Sequence, residues 1–309
     1  MKPLKRILAA VLAALLLCGC APAAEPAPIA ATTLPVWEFA VQICQGTSLS
    51  VTRLVTEQVS CLHDYALNVR QVKAVEGAQV VIISGAGLED FMDDLLADVS
   101  LIDAAEGISL LHGAHAHEEE EDDHVHGADA DIHQHEMDAD GHHHEVDPHI
   151  WLSPENAKVM ASNICQGLSR QYPQYRENFQ SNLEALLARL DTLQAYGDAS
   201  LSDLGCRELV TFHDGFSYFA QAFGLSILEA VEEESGSEAS AKDLIHLVGL
   251  VRGHSLPAVF TEVSGSTSAA EIIARETGCR VFPLDMAMAG DSYFDAMYRN
   301  IDTIKEALG

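Results

Sequence analysis

The sequence predicts an α/β protein of two lobes, each a mostly parallel β-sheet flanked by helices, with one long helix joining them. Three observations carry that prediction. Short β-rich runs alternate with amphipathic helical stretches on both sides of a polar, low-complexity segment. The run VVIIS from Val80 to Ser84 is apolar on both faces, as expected of a strand buried between helix layers. A pattern from about Gln174 to Leu204 places Phe179, Leu183, Leu186, Leu187, Leu190 and Leu193 three or four residues apart. At the α-helical rise such a helix is about 45 Å long, longer than one small domain is wide.

The chain opens with Lys2, Lys5 and Arg6 ahead of an apolar run from Ile7 to Leu17, the layout of a secretory signal. The run is too short to span a bilayer as a mature helix. Leu17-Cys18-Gly19-Cys20 resembles a bacterial lipobox, which implies cleavage after residue 19 and lipidation of Cys20. The mature chain is therefore expected outside the cytoplasm, anchored to the membrane by its N-terminal lipid, with residues 20–31 as an Ala- and Pro-rich tether. Residues 32–152 read as the N-terminal lobe, 153–204 as a helical segment containing the long linker helix, and 205–309 as the C-terminal lobe.

Within the first lobe Ile29–Thr33, Leu49–Val55 and Gln79–Ser84 read as strands, and Pro35–Gln45, Ala66–Glu76 and Leu88–Val99 as helices. Ser153-Pro154-Glu155 is a helix start, with Ser as the cap and Pro where its missing N–H costs nothing. After Leu204 the strands are Glu208–Phe212, Ser226–Val231, Ala258–Val263 and Arg280–Leu284. The helices are Ser217–Phe223, Ser240–Arg252, Ser266–Thr277 and Asp291–Leu308. The second lobe repeats the first in kind without a visible sequence repeat.

A formal net charge of −30 becomes −33 once Lys2, Lys5 and Arg6 are removed. Phosphate recognition needs a basic face, so nucleic acid is excluded as a partner and a cation is the natural ligand. The five cysteines of the mature body (Cys44, Cys61, Cys165, Cys206, Cys279) have no CxxC spacing, and at most two disulfides can form.

Four polar residues fall just past predicted strand ends, the edge at which open α/β sheets bind ligands: His63, His149, His213 and Asp285. Two come from each lobe. Three imidazoles and a carboxylate suit tetrahedral coordination of a borderline cation such as zinc. The neighbouring Asp64, Asp147 and Asp214 either orient the imidazoles or cap the following helices. Glu262, at another strand end, is a further candidate for the pocket.

The motifs DPHIWLSPENA (Asp147–Ala157), TFHDGFSYFA (Thr211–Ala220), FTEVSGSTSAAEIIARETG (Phe260–Gly278) and LD with SYFDAMYRNIDTI (Ser292–Ile304) resemble the zinc-binding class of ABC-transporter substrate-binding proteins. That resemblance implies a metal site in the cleft between two lobes joined by a rigid helix, with His63, His149, His213 and Asp285 as ligands. It also implies a membrane permease as partner, zinc as the transported ion, a monomeric chain and no catalysis. His213 stands where manganese-binding relatives often have Glu, which favours zinc over manganese. Around His63 the chain departs from the family's Gly-containing loop ending in Pro-His. Cys61 is there a thiolate ligand, a disulfide partner of Cys44 or an inert thiol.

Between His112 and Asp147 lie ten His and thirteen Asp or Glu with no Lys or Arg. A stretch this polar cannot bury enough apolar surface to fold alone. His112, His115, His117, His124, His126, His133, His135, His142, His143 and His144 can chelate transition metals in changing combinations, and similar loops mark zinc-specific members of the family. The loop reads as an auxiliary site or antenna. A zinc hydrolase is disfavoured, because four protein ligands leave no open coordination position and HExxH is absent. The alternatives are a manganese-binding member of the same family and a surface metal buffer or adhesin without transport.

Overall fold

The computed structural model describes residues 28–59, 62, 65–111, 146–231 and 240–309. Cys20, Cys61, His63, Asp64 and the loop histidines from His112 to His144 lie outside the described residues.

Two four-stranded parallel sheets organise the chain. The first contains β1 (Ile29–Ala31), β2 (Val51–Arg53), β3 (Val80–Ile83) and β4 (Leu101–Asp103) in the order β2-β1-β3-β4. The second contains β5 (Glu208–Thr211), β6 (Ser226–Ala230), β7 (Ala258–Glu262) and β8 (Arg280–Leu284) in the order β6-β5-β7-β8. Each sheet starts on an inner strand, adds one strand on one side and then crosses to the other. Each therefore has a topological switch point, at the C-terminal ends of β1 and β3 and of β5 and β7.

Both faces of each sheet are covered. Val80 and Ile82 of β3 join the main core, whereas Val81 and Ile83 join a separate cluster with Leu54, Val75, Met92 and Leu96. In β7, Phe260 faces the main core and Val259 packs with Leu247, Val251 and Ile273. The side-chain period of two delivers alternate residues to opposite layers, which is why these strands read as continuous apolar runs.

Helices α1 (Leu34–Ile43), α2 (Val69–Gly77) and α3 (Asp93–Leu96) accompany the first sheet. Asn68 caps α2, its side chain accepting from Gln71 N while Gln71 reaches back to Asn68 N. As its sequence predicts, α4 (Pro154–Gln171) starts on a Ser153 cap with Pro154 in its first turn. The long helix α5 (Arg176–Ser200) has 25 residues, about 37 Å. It is shorter than expected because Pro173–Tyr175 forms a 3-10 turn ahead of it and the last turn stops at Ser200. Phe179, Leu183, Leu186, Leu190 and Leu193 form its buried stripe, with Leu187 half-buried beside it. That stripe packs against α1 and α4 on one side and α9 (Tyr293–Leu308) on the other, so one core runs through both lobes. Helices α6 (Ser217–Ala222), α7 (Ala241–His254) and α8 (Ser268–Thr277) complete the second lobe.

Two expectations for the first lobe need correction. The predicted helix Leu88–Val99 is a 3-10 turn, Asp90–Met92, followed by the four-residue α3. Gly85, Ala86 and Gly87 all have positive φ, which turns the chain back so that Glu89 accepts hydrogen bonds from the strand end it has just left. That turn uses up the first residues of the would-be helix. Strand β4 was not expected: only Ile102 of its three residues is buried, too little pattern to mark a strand. Among the described residues Cys44, Cys165, Cys206 and Cys279 are free thiols. Burial pushes the Cys44 thiol up to about 12.

Candidate metal centre

The second switch point brings a carboxylate to an imidazole. Thr211 lies opposite Phe260, and Phe212 N–H donates to Phe260 O at 2.8 Å. Continuing that register sets His213, two residues beyond β5, beside Glu262, the last residue of β7. His213 Nδ1 lies 3.1 Å from Glu262 Oε1, and both side chains are buried. Glu262 was only a pocket candidate on sequence grounds; here it contacts a predicted ligand.

His149 is reached differently from the way its sequence suggested. It does not follow a strand but sits at the start of the 3-10 turn Ile150–Leu152 that leads into α4. Asp147 N–H donates to Leu111 O at 2.9 Å, which fixes the returning end of the loop. Pro148 has no N–H to extend a ladder, and Asp147 Oδ1 instead accepts the backbone N–H of His149 at 2.9 Å and contacts its ring Nδ1 at 2.8 Å. Asp147 is thus an orienting group, one of the two roles its position allowed.

The two imidazoles meet edge to face, ring centroids 5.2 Å apart. Gly215 makes this approach possible: a Cβ there would lie 2.6 Å from Met286 Cε, 2.7 Å from His213 Cδ2 and 2.9 Å from His149 Cε1. Each Nδ1 thus lies against a carboxylate, the arrangement commonly found behind a metal-bound histidine. His149 Nε2 is buried and has no hydrogen-bond partner among the described residues.

Asp285 follows β8 by one residue. Its Oδ1 accepts from Ala287 N at 2.8 Å and its Oδ2 from Arg299 Nη2 at 3.0 Å. Asn300 grips the Asp285 backbone at both ends, accepting its N–H at 2.8 Å and donating to its carbonyl at 2.7 Å. Asp285 lines one small cleft together with Glu262, Gln58, Val59 and Ser264. Among the described residues no three His, Cys, Asp or Glu side chains are gathered closely enough to hold a metal ion. The structure therefore brings His149 and His213 together with their carboxylates and sets Asp285 on the cleft beside Glu262; His63 and Cys61 are outside the described residues.

The equivalent point of the first sheet carries other chemistry. Thr32 N–H donates to Ile82 O at 3.0 Å, the counterpart of the Phe212 bond, so Thr33 and Ser84 correspond to His213 and Glu262. Their hydroxyls bond to each other at 2.8 Å. Glu89 lies behind them, accepting from Thr32 Oγ1 at 2.6 Å, Ser84 N at 2.8 Å and Gly85 N at 3.0 Å. Burial raises its carboxyl from 4.5 to about 7, although these donors pull it down.

Three contributors were not singled out from sequence. Gly215 could have been, since a glycine directly after His213-Asp214 signals close approach. Trp151 stacks edge-on against His149 at 5.5 Å and donates Nε1–H to Met286 O at 2.8 Å across the lobes. Arg299 reaches Asp285 only because α9 packs beside β8, and no local pattern announces that.

Comparison with known proteins agrees with this architecture. The family model described as ZnuA, zinc-uptake complex component A, periplasmic, matches residues 29–307. The zinc-binding protein AdcA of Streptococcus pyogenes serotype M3 is 27% identical over 291 residues, 90% of this chain and 55% of its own. The zinc-binding lipoprotein AdcA of Streptococcus pneumoniae is 29% identical over 291 residues, with the same coverage of 90% and 55%. The chain thus spans little more than half the length of these relatives. A crystal structure of ZnuA superposes with a TM-score of 0.74 at 28% identity, covering 92% of this chain and 100% of that one. An internal-deletion variant of ZnuA with zinc bound gives 0.73 at 27%, covering 92% and 98%. With a family model matching nearly its whole length and the same two-sheet fold, the chain belongs to the zinc-uptake component A (ZnuA) family.

Proposed function

We propose that the chain is an extracytoplasmic solute-binding protein that takes up Zn²⁺ between its lobes and delivers it to the membrane permease of an ABC importer. The ligands are His63 and His149 from the first lobe and His213 and Asp285 from the second. The observation that carries this reading is the buried pair His149 and His213, each with Nδ1 against a carboxylate and with ring centroids 5.2 Å apart. Asp147 and Glu262 orient the rings, the usual arrangement behind a metal-bound histidine.

Imidazole nitrogens favour zinc over manganese, which prefers oxygen donors. The relatives whose names or structures specify zinc support the same choice. The name of the pneumococcal relative, a lipoprotein, supports acylation of Cys20 as the anchor. The loop histidines hold further ions weakly and supply the cleft.

Metal analysis of the purified chain after dialysis tests the reading. One tightly held zinc is expected with or without residues 113–145, and manganese held in preference would overturn the selectivity. Loss of growth in chelated medium on deleting the gene, restored by added zinc, separates an importer component from a surface buffer.

A further inference from the structure

The segment between β8 and α9 belongs to the second lobe by chain order, yet its carbonyls are taken by the first. Met286 O accepts from Trp151 Nε1 at 2.8 Å, Met288 O from Leu34 N at 3.2 Å and Gly290 O from Arg53 Nη1 at 2.7 Å. These are the carbonyls of alternate residues, and their donors come from three separate elements of the first lobe: the turn after His149, the start of α1 and the end of β2. At the far end of the segment Tyr293 N–H donates to Glu38 Oε2 of α1 at 2.6 Å, and Tyr293 Oη–H donates to Trp151 O at 2.8 Å. Ala287, inside the segment, has φ 54°, a conformation that alanine adopts only where its surroundings impose it.

We propose that this segment is a clasp and that Arg53 is a positioning residue for Asp285, holding the loop seated over the cleft and so governing how fast a bound ion leaves. The proposal rests on the reading of Asp285 as a ligand. Asp285 stands at the root of the clasp, and the next residue is tied through Trp151 to the turn that carries His149. A ligand of the second lobe is thereby held in register with a ligand of the first. Opening the cleft around Asp285 requires these bonds to part. Arg53 is the fastening most able to do so, because it borders a cavity of about 350 Å³ lined by Trp37, Val51, Arg53, Thr56, Gly290 and Asp291. Trp151 and Leu34, by contrast, are fully buried. The Arg53 guanidinium also lies over the Trp37 ring at 5.2 Å, which fixes its direction.

The test is the slow phase of zinc release into excess chelator from the full mature chain, compared among wild type, Arg53→Met, Arg53→Lys, Asp285→Asn and the Arg53→Met/Asp285→Asn double variant. Losing a charge-assisted hydrogen bond corresponds to about tenfold, so Arg53→Met should release zinc about tenfold faster. Lysine can still donate to Gly290 O and should recover most of the wild-type rate. Because the clasp acts through Asp285, Arg53→Met should add less than about twofold in the Asp285→Asn background. A wild-type rate for Arg53→Met beside a fast Asp285→Asn would overturn the clasp while leaving the ligand assignment standing. An undiminished effect of Arg53→Met in the double variant would also overturn it, showing a general loosening of the fold. A wild-type rate for Asp285→Asn would remove the ligand reading itself and the clasp with it.

Discussion

The two switch points occupy the same position in two sheets of identical strand order, and they carry different side-chain chemistry. In the first sheet Thr33 and Ser84 satisfy each other at 2.8 Å and Glu89 closes off the strand ends behind them. In the second, His213 and Glu262 hold the corresponding places, with Nδ1 of the imidazole 3.1 Å from the carboxylate. A shared backbone frame therefore fixes where chemistry can occur, and the side chains decide whether it does. In the first lobe the imidazole that faces His213 is His149, which stands at a helix entrance instead of a strand end.

Exchanging the chemistry at the two points should break this comparison most strongly at His213. Native-state binding at a thousandfold excess over Kd adds about 4 kcal/mol to stability. His213→Ala should therefore lose most of the zinc-induced rise in melting temperature, whereas Thr33→Ala should retain it. An equal loss in both variants would show that the two points are not functionally distinct.

Glu89 gives the next largest effect, and it concerns stability without metal. Its folded-state value of about 7 lies above the ordinary 4.5, so the folded chain holds a proton that the unfolded chain releases. The contribution of Glu89 is accordingly most favourable at acid pH and is lost as pH rises through 4.5 to about 7. Across that window the change amounts to about 3 kcal/mol. In denaturant melts of the metal-free chain, wild type should lose up to that much stability relative to Glu89→Gln between pH 5 and 8, on top of any fixed offset from the amide. Parallel pH profiles for the two proteins would count against a buried, titrating Glu89.

The remaining pair sharpens the comparison on a smaller scale. Removing the carboxylate behind a metal-bound histidine typically weakens affinity 10–100-fold, so Glu262→Gln should fall within about that range in a competition titration. Ser84→Ala, at the equivalent place, should leave affinity unchanged and cost about 1 kcal/mol of stability through the lost hydroxyl bond.

How much of this could be read from the sequence depends on how local each signal is. The second-lobe strands were legible to within a residue or so because each is an apolar run bounded by turns, as in Ala258–Glu262 and Arg280–Leu284. The segment from Leu88 was not, because its helical pattern competed with three consecutive left-handed residues and a buried carboxylate that bonds backward. Strand β4 escaped because a single buried Ile102 makes no pattern. At the site, the histidines stood out by motif, and Asp147 could be suspected from its distance of two residues to His149. The contact of Glu262 with His213 depends on register between β5 and β7, and that of Arg299 with Asp285 on helix packing. Neither is encoded within any one window of sequence.

The central claim is that one zinc ion is shared between the lobes through the two facing imidazoles. Anomalous diffraction at the zinc edge from crystals of the zinc-loaded chain measures this directly. The account predicts a strong peak at about 2.0–2.1 Å from Nε2 of both His149 and His213, with His63 and an Asp285 oxygen completing the coordination. A peak bonded to only one of these imidazoles, or strong density confined to the histidines between His112 and His144, would contradict it.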